Sequence, residues 1–410
     1  MKSTIQLLLT VVLVGVYLPF STIDGTAKTK KIATYNNSGY LFDVNVTKIN
    51  SEYSEIPAAV FRDKLVIVSS KKIGAIGNGT DETTGLPYTN LFCSDIVKSN
   101  SDFSTPILFS RILNTRGSEG QVSFTPDEHT IFYTRSKRKN AANYQLYSAQ
   151  LEKDSYGNWK DHTPAIFNSE AHSIENPHVS TDGKFLFFSS NMEGGLGGFD
   201  LYKAPLSKNG TLGTPINLGP TINTELDEKY PHTSKDGGEL FFSSKGHSSQ
   251  GGFDIFITNI YGELDYSEPR NLGIKINSIR DEVAFTLLDN DKGVFSSNEG
   301  NDGMRFNMYK FNARAIYQDL EGIIFDKEDN TLPNITVVLY DNKGNEIERQ
   351  TTGKDATYRF KIRPFEQYKI KTIKNGYEDA VVSFKSTDTK LNLAYKEDLK
   401  LSTNGTLTKK

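Results

Sequence analysis

The 410-residue sequence predicts an all-β molecule: a five-bladed β-propeller closed by an N-terminal strand, followed by a small β-sandwich. Three observations carry this expectation. An internal repeat recurs five times between Tyr40 and Asn312, at spacings of roughly 54 to 64 residues. The chain holds 25 Phe, 20 Tyr and 33 Gly, the composition of aromatic strands punctuated by turns. No long apolar pattern of helical period follows the N-terminal segment.

Three copies align directly. Glu175–Tyr202 reads ENPHVSTDGKFLFFSSNMEGGLGGFDLY, Glu228–Phe256 reads EKYPHTSKDGGELFFSSKGHSSQGGFDIF, and Glu282–Tyr309 reads EVAFTLLDNDKGVFSSNEGNDGMRFNMY. Their serine pairs, Ser189-Ser190, Ser243-Ser244 and Ser296-Ser297, fall 54 and 53 residues apart. Two weaker copies begin at Glu55 and Glu119. A marker precedes each copy: Asn50, Asn114, Asn223 and Asn277 lie five residues before the repeat's Glu, and Asn168 lies seven before Glu175.

Each copy reads as four short strands. In the third, Pro177–Ser180 forms the first strand, Thr181–Lys184 a tight turn, Phe185–Ser190 the second strand, Asp200–Ala204 the third and Gly213–Leu218 the fourth. Radial repetition of such sheets protects their edges. The fifth copy lacks a fourth strand, and an orphan strand, Leu41–Thr47, stands at the N-terminus. The segment after it, KINSEYSE, matches PTINTELDE after the third copy, so the orphan is expected to complete the last blade and latch the ring.

These segments resemble the WD40-like, TolB-type β-propeller repeat over about two thirds of the chain, with ENPHVSTDGKFLFFSS and GGFDLY nearest to its usual form. From Leu320 the pattern changes. The order EGIIFD, LPNITVVLYD, TYRF and YKIKTIKNGYE gives seven short strands in about 80 residues. It is similar to a carboxypeptidase regulatory-like domain, which implies a transthyretin-like sandwich without catalytic activity. One departure is that Asp355-Ala356-Thr357 stands before Tyr358, where that family has Gly. The expected division is a signal peptide at 1–27, the propeller at 28–316, the sandwich at 317–402 and a polar, disordered tail at 403–410.

The N-terminus carries Lys2, an apolar run from Ile5 to Phe20, and Gly25-Thr26-Ala27 at the cleavage position. At 16 residues the run falls short of the roughly 20 a spanning helix needs, so export with cleavage near Lys28 is expected, with no membrane span afterwards. Lys plus Arg is 47 and Asp plus Glu is 50. This balance gives no electrostatic reason to expect nucleic acid. The single cysteine, Cys93, sits in an apolar context and reads as a buried packing residue rather than a reactive thiol.

The sequence contains no G-x-S-x-G elbow, H-E-x-x-H pair or P-loop. No enzyme activity, cofactor or metal is expected. His178 and His232 share a repeat position on the innermost strands, with Ala59, Gln121 and Ala284 as counterparts. They read either as a partial ligand pair or as hydrogen-bond bridges between blades. Glu55, Glu119, Glu175, Glu228 and Glu282 ring the start of those strands. They read as an acidic funnel for a cation or basic peptide, or as caps on backbone N–H groups. Repetition favours the structural reading, because a functional residue tends to break a repeat. Two segments do break it: Lys71–Tyr88, and the basic stretch Arg135–Asn143 with Arg135, Lys137, Arg138 and Lys139. Both are expected as loops on one face and as a partner surface.

The combination of propeller and regulatory-like domain resembles the middle of OmpA-family envelope proteins of Bacteroidetes, including those associated with type IX secretion. That resemblance implies a periplasmic or outer-membrane binding scaffold with an envelope or secreted protein as partner. The alternative is a carbohydrate-active five-bladed propeller that hydrolyses or binds a glycan, with Glu175, Glu228 and Glu282 as its carboxylates.

Overall fold

The computed structural model describes residues 38–403 apart from 75–78, 81–84, 86, 98–101, 138–139, 301–302, 304, 388–389 and 391–392. The expected signal peptide and the tail from 404 lie outside the described residues. Thr403, expected in the disordered tail, pairs with Tyr377 as an isolated β-bridge. Among the described residues the secondary structure is all β, without a helix.

The chain opens on β1 (Tyr40–Val46). The first sheet then holds β2 (Glu55–Phe61), β3 (Lys64–Ser69) and β4 (Asn90–Val97), with the short strands β5 (Asp102–Phe103) and β6 (Ile107–Leu108) on β4. The second is β7 (Glu119–Phe124), β8 (Thr130–Lys137), β9 (Asn140–Leu151) and β10 (Trp159–Pro164). The third is β11 (Ile174–Val179), β12 (Phe185–Ser190), β13 (Asp200–Pro205) and β14 (Ile216–Asn217). The fourth is β15 (Glu228–Thr233), β16 (Glu239–Ser244), β17 (Asp254–Asn259) and β18 (Arg270–Asn271). The fifth is β19 (Glu282–Leu287), β20 (Lys292–Ser297) and β21 (Asn307–Ala315), with β1 as its outer strand, antiparallel to β21 from Tyr40 opposite Ala315 to Val46 opposite Tyr309. The first strand of each sheet touches that of the next, and β19 touches β2, so these strands form a ring. The arrangement is propeller-like.

Packing explains why the second strand of each repeat is apolar on both faces. In β12, Leu186 and Phe188 join Phe132 and Leu146 of the second sheet, while Phe187 joins Leu240, Phe242 and Phe256 of the fourth. A strand between two sheets has no solvent face, and each fully buried Leu or Phe contributes about 1.5–3 kcal/mol. The five marker asparagines hold the third strands. Asn114, Asn168, Asn223 and Asn277 each bond both the N–H and the C=O of one strand residue, Leu91, Leu146, Leu201 and Ile255 respectively. Asn50 does the same to Met308 in the fifth sheet.

The first strand of every repeat sheet carries a register shift against its neighbour. In the last three sheets the bulge places Asn176, Tyr230 and Ala284 in the left-handed region, with φ of 53°, 56° and 58°.

Among the described residues the C-terminal part has eight strands rather than the seven expected: β22 (Gln318–Asp326), β23 (Thr336–Tyr340), β24 (Glu346–Thr351), β25 (Thr357–Ile362), β26 (Gln367–Ile373), β27 (Val381–Lys385), β28 (Ala394–Lys396) and β29 (Leu399–Leu401). One sheet runs β24-β23-β26-β27. In the other, β22 pairs with β25 and, in parallel, with β28 and β29. Alternation is strict in β25, where Tyr358, Phe360 and Ile362 are buried and Thr357, Arg359 and Lys361 are exposed. The buried set shares one core with Leu320, Val337, Leu339 and Ile370.

A turn of this C-terminal part docks on the ring. Arg363 pairs with Glu239 at 2.8 Å and bonds the Tyr40 hydroxyl, which donates to Glu239 at 2.7 Å. Phe365, held at φ 64°, lies 4.2 Å under the Arg270 guanidinium, and its carbonyl accepts from Tyr261 at 2.7 Å. A phenylalanine in the left-handed region costs about 1–2 kcal/mol, which these contacts offset.

Candidate functional site

Backbone register fixes which residues are equivalent around the ring. Pairing across the first two strands aligns Ala59, Ser123, His178, His232 and Thr286. Gln121 and Ala284, expected as counterparts of the histidines, therefore do not occupy that position. Here successive sheets are stitched together. Val179 N donates to Ser123 Oγ at 2.9 Å, Thr233 N to His178 Nε2 at 2.9 Å, and Leu287 N to His232 Nε2 at 3.1 Å. The imidazole rings lie 4.4 Å apart between centroids. Burial holds His178 neutral, with its pKa pulled down to about 3. Burial, with a further push from His178, holds His232 well below its ordinary value. Both Nε2 lone pairs are occupied by backbone donors, so the pair does not converge on a shared ligand.

The five first strands surround a narrow channel whose cavity is about 20 Å³, room for a single water. Its lining includes Pro57, Ala58, Gln121, Pro177, Pro231 and Ala284, beside the two histidines, and no carboxylate.

Of the two readings of the repeat glutamates, the acidic funnel is not formed, and the favoured one, capping, describes four of the five. Glu119, Glu228 and Glu282 have no exposed surface, and Glu55 has 3%. Each caps its own loop. Glu228 accepts from Thr224 N and Oγ1 and from Ser244 Oγ at 2.8, 2.7 and 2.6 Å. Glu282 repeats this with Ser278 N, Ser278 Oγ and Ser297 Oγ at 2.8, 2.7 and 2.6 Å. Burial pushes Glu55 and Glu282 up to about 7, and raises Glu119 and Glu228. Glu175 departs from the set. Ile174 takes the register position of Glu228, and Glu175 aligns with Lys229, with which it pairs at 2.9 Å.

The basic segment Arg135–Asn143 is not the expected loop. Arg135, Ser136 and Lys137 extend β8, and β9 starts at Asn140. Arg135 Nε pairs with Glu119 at 2.9 Å and its Nη2 donates to Leu113 O at 2.7 Å, so its charge is spent inside the sheet. Lys137 pairs with Glu170 on the surface. Arg138 and Lys139 lie outside the described residues.

A cleft of about 660 Å³ opens between the third and fourth sheets, at the ring end that bears the β11–β12 and β15–β16 turns. Phe185 and Phe187 of β12, with Ile260 and Tyr266 from the β17–β18 turn, form its apolar walls. Asp182, Asp236, Glu263, Lys203 and Lys235 bring charge, and Lys343 reaches in from the C-terminal part. Lys203 is 3% exposed, lies 4.6 Å over the Phe185 ring and donates to Glu263 O; burial lowers its pKa. Its residues come from four turns and three strands, so no local pattern signals it.

No family model matches the chain, and no curated protein matches it. Among solved structures it is similar to TolB from Acinetobacter baumannii, with 16% identity and a TM-score of 0.34 over 63% of this chain and 55% of that one. The chain thus spans little more than half the length of that structure. It is also similar to the Bacteroides ovatus xyloglucan PUL GH43B, with 10% identity and a TM-score of 0.41 over 83% and 91% of the two chains. A third is α-L-arabinofuranosidase from Lactobacillus brevis, with 10% identity and a TM-score of 0.42 over 66% and 93%.

Proposed function

We propose that this chain is a non-enzymatic binding scaffold of the cell envelope, built as a five-bladed propeller latched by β1 with a rigid β-sandwich fixed to one end. A protein partner engages the ring rather than a substrate entering it. The observation that carries this reading is the channel. Glycoside hydrolysis needs two carboxyl groups about 5–10 Å apart around a site that admits a sugar. The channel cavity here is about 20 Å³ and its lining holds no carboxylate. Of the natural recruits, Glu228 and Glu282 are buried caps with three donors each, and Glu175 is paired with Lys229.

The reading is supported further by the docking of the C-terminal part, which fixes two modules in one orientation through Arg363, as a scaffold requires. Export to the envelope, and any tie to type IX secretion-related assembly, follow from the N-terminal pattern and the family resemblance. The test is to immobilise the full chain, pass envelope extract over it, and incubate the same protein with arabinan, xylan and xyloglucan. Retention of a defined envelope protein without release of reducing sugar is expected. Hydrolysis of any of these glycans overturns the reading.

A further inference from the structure

We infer that the cavity beside the Tyr40–Arg363 contact, at the seam between the fourth and fifth sheets, binds a small uncharged molecule built on a single aromatic ring. The inference does not depend on the scaffold reading. The cavity measures about 190 Å³, somewhat more than the roughly 150 Å³ of a protein cavity that takes up benzene, so it has room for one ring with a small substituent. Phe241, Phe285, Leu287, Phe311 and Ala313 are its buried walls, with Phe42 half-buried among them. Lys235, Asp236 and Asn290 stand exposed at its mouth.

A coordinated departure from the repeat makes the room. Strand register equates Phe285 with Pro177 and Pro231, Gly293 with Leu186 and Leu240, Phe311 with Ala204 and Thr258, and Ala313 with Leu206 and Ile260. The fifth sheet is thus larger than its neighbours at two of these positions and smaller at the other two. Phe311 lies over Gly293, where a Cβ would sit 2.4 Å from its ring. Ala313 lacks the branched carbons of Leu206 and Ile260, and the cavity opens against it. Residues that serve the framework recur from sheet to sheet, so four linked replacements in one sheet point to a use for the space.

The walls select the guest. Phe285 stacks between Phe241 and Phe311, with ring centroids 4.6 and 4.4 Å apart, and Phe42 stands edge-on to Phe285 and Phe311 at 6.3 and 5.7 Å. A further ring continues this arrangement of faces and edges, whereas an aliphatic chain gains burial alone. The charges of the lining cancel: Lys235 and Arg363 are matched by Asp236 and Glu239, and Arg363 pairs with Glu239 at 2.8 Å. An ion of either sign therefore gains no net attraction and loses its hydration against an apolar wall. The side chains of Asn290 and Lys235 at the mouth are able to bond a neutral hydroxyl on the ring. Tyr40 and Phe42 belong to β1, so a bound guest is held partly by the strand that closes the ring.

The probes are phenol and p-cresol, titrated against the full chain by calorimetry and followed by hydrogen exchange. Expected is saturable binding, slower exchange in 40–46, and a thermal midpoint that rises with probe concentration by mass action. Benzoate and benzylammonium are expected to bind at least about tenfold more weakly. Ala313→Leu, which restores the residue type of Leu206, is expected to weaken phenol binding at least about tenfold by filling the space, and Ala313→Val by a smaller factor. The midpoint of each variant without probe shows that it has folded. The proposal is overturned if neither probe saturates, if the folded variants bind phenol like the parent, or if benzoate or benzylammonium binds more tightly than phenol. Protection confined to segments away from the cavity lining overturns it on the parent protein alone. A blocked Gly-Tyr-Gly peptide that binds at least about tenfold more tightly than p-cresol overturns it in favour of a partner's side chain.

Discussion

Asn50 grips Met308 by both ends of its side-chain amide: Met308 N donates to Oδ1 at 2.7 Å and Nδ2 donates to Met308 O at 2.9 Å. The two residues are 258 apart in sequence. Four other asparagines make the same pair of bonds over separations of 22 or 23 residues. The device that elsewhere finishes one sheet is used here to join the N-terminal segment to the last sheet, beside the β1–β21 ladder.

Asn50→Ala removes both bonds and leaves the N–H of the fully buried Met308 without its acceptor. A loss of about 1–3 kcal/mol is expected, read as a lower urea midpoint with unchanged m-value. Asn223→Ala removes the local version and is expected to cost the same. A destabilised Asn223→Ala beside an unaffected Asn50→Ala would mean that closure does not run through Asn50.

How much of this was legible in the sequence depends on whether a residue's role is local. The marker asparagines and serine pairs recur because each sheet needs the same caps, and spacing alone exposed them. The equivalence of His178 with Gln121 and Ala284 failed because those two lie two residues short of the true counterparts, Ser123 and Thr286, and the residue types of these first strands do not fix their register against the second strand. A separate one-residue slip set Glu175 beside Glu228, when Lys229 is its true counterpart. Arg135 looked like a surface charge because its acceptor, Glu119, lies 16 residues back on the neighbouring strand. The cleft gave no sign, since Lys343 and Lys203 line one cavity only through the packing of the C-terminal part on the ring.

Two buried groups should make the pH dependence of stability separable. His178 has its pKa pulled down to about 3, so its contribution is complete above the unfolded value near 6.5 and is lost as pH falls toward 3. Glu282 is pushed up to about 7, so its contribution is complete below the unfolded value near 4.5 and is lost as pH rises to 7. Between pH 4.5 and 6.5 the two oppose each other, each by up to about 1.4 kcal/mol per pH unit. His178→Gln should flatten the fall of stability on acidification, and Glu282→Gln should steepen it, in urea midpoints at pH 4.5, 5.5 and 6.5. Slopes identical to the parent in both variants would show that neither group changes its proton affinity on folding.

Gly322 should tolerate no side chain. A Cβ there would sit 2.0 Å from Glu397 O, the carbonyl that also accepts the Tyr358 hydroxyl at 2.5 Å. This is the step between β28 and β29 along β22, and its backbone lies against β22. Gly322→Ala is expected to cost about 1–3 kcal/mol through overpacking and to expose 394–401 to protease. A variant as stable and as resistant as the parent would place those strands away from β22.

Arg363 is where the modules are locked. Two carboxylates pair with it, Glu366 at 3.0 Å and Glu239 at 2.8 Å; the Glu239 side chain is 8% exposed, and the Tyr40 hydroxyl joins Arg363 and Glu239. Removing the arginine strands a buried carboxylate, which costs about 3–5 kcal/mol, whereas removing both charges costs less, because the desolvation of each ion is also relieved. Arg363→Met should therefore be more damaging than Arg363→Met/Glu239→Gln, with a coupling energy of at least about 1 kcal/mol in the double-mutant cycle. Because Tyr40 begins β1, the single variant should also loosen the latch, seen as faster hydrogen exchange in 40–46 as well as in 357–373. Additive effects with exchange confined to the C-terminal part would mean that this part rides on the ring without holding it closed.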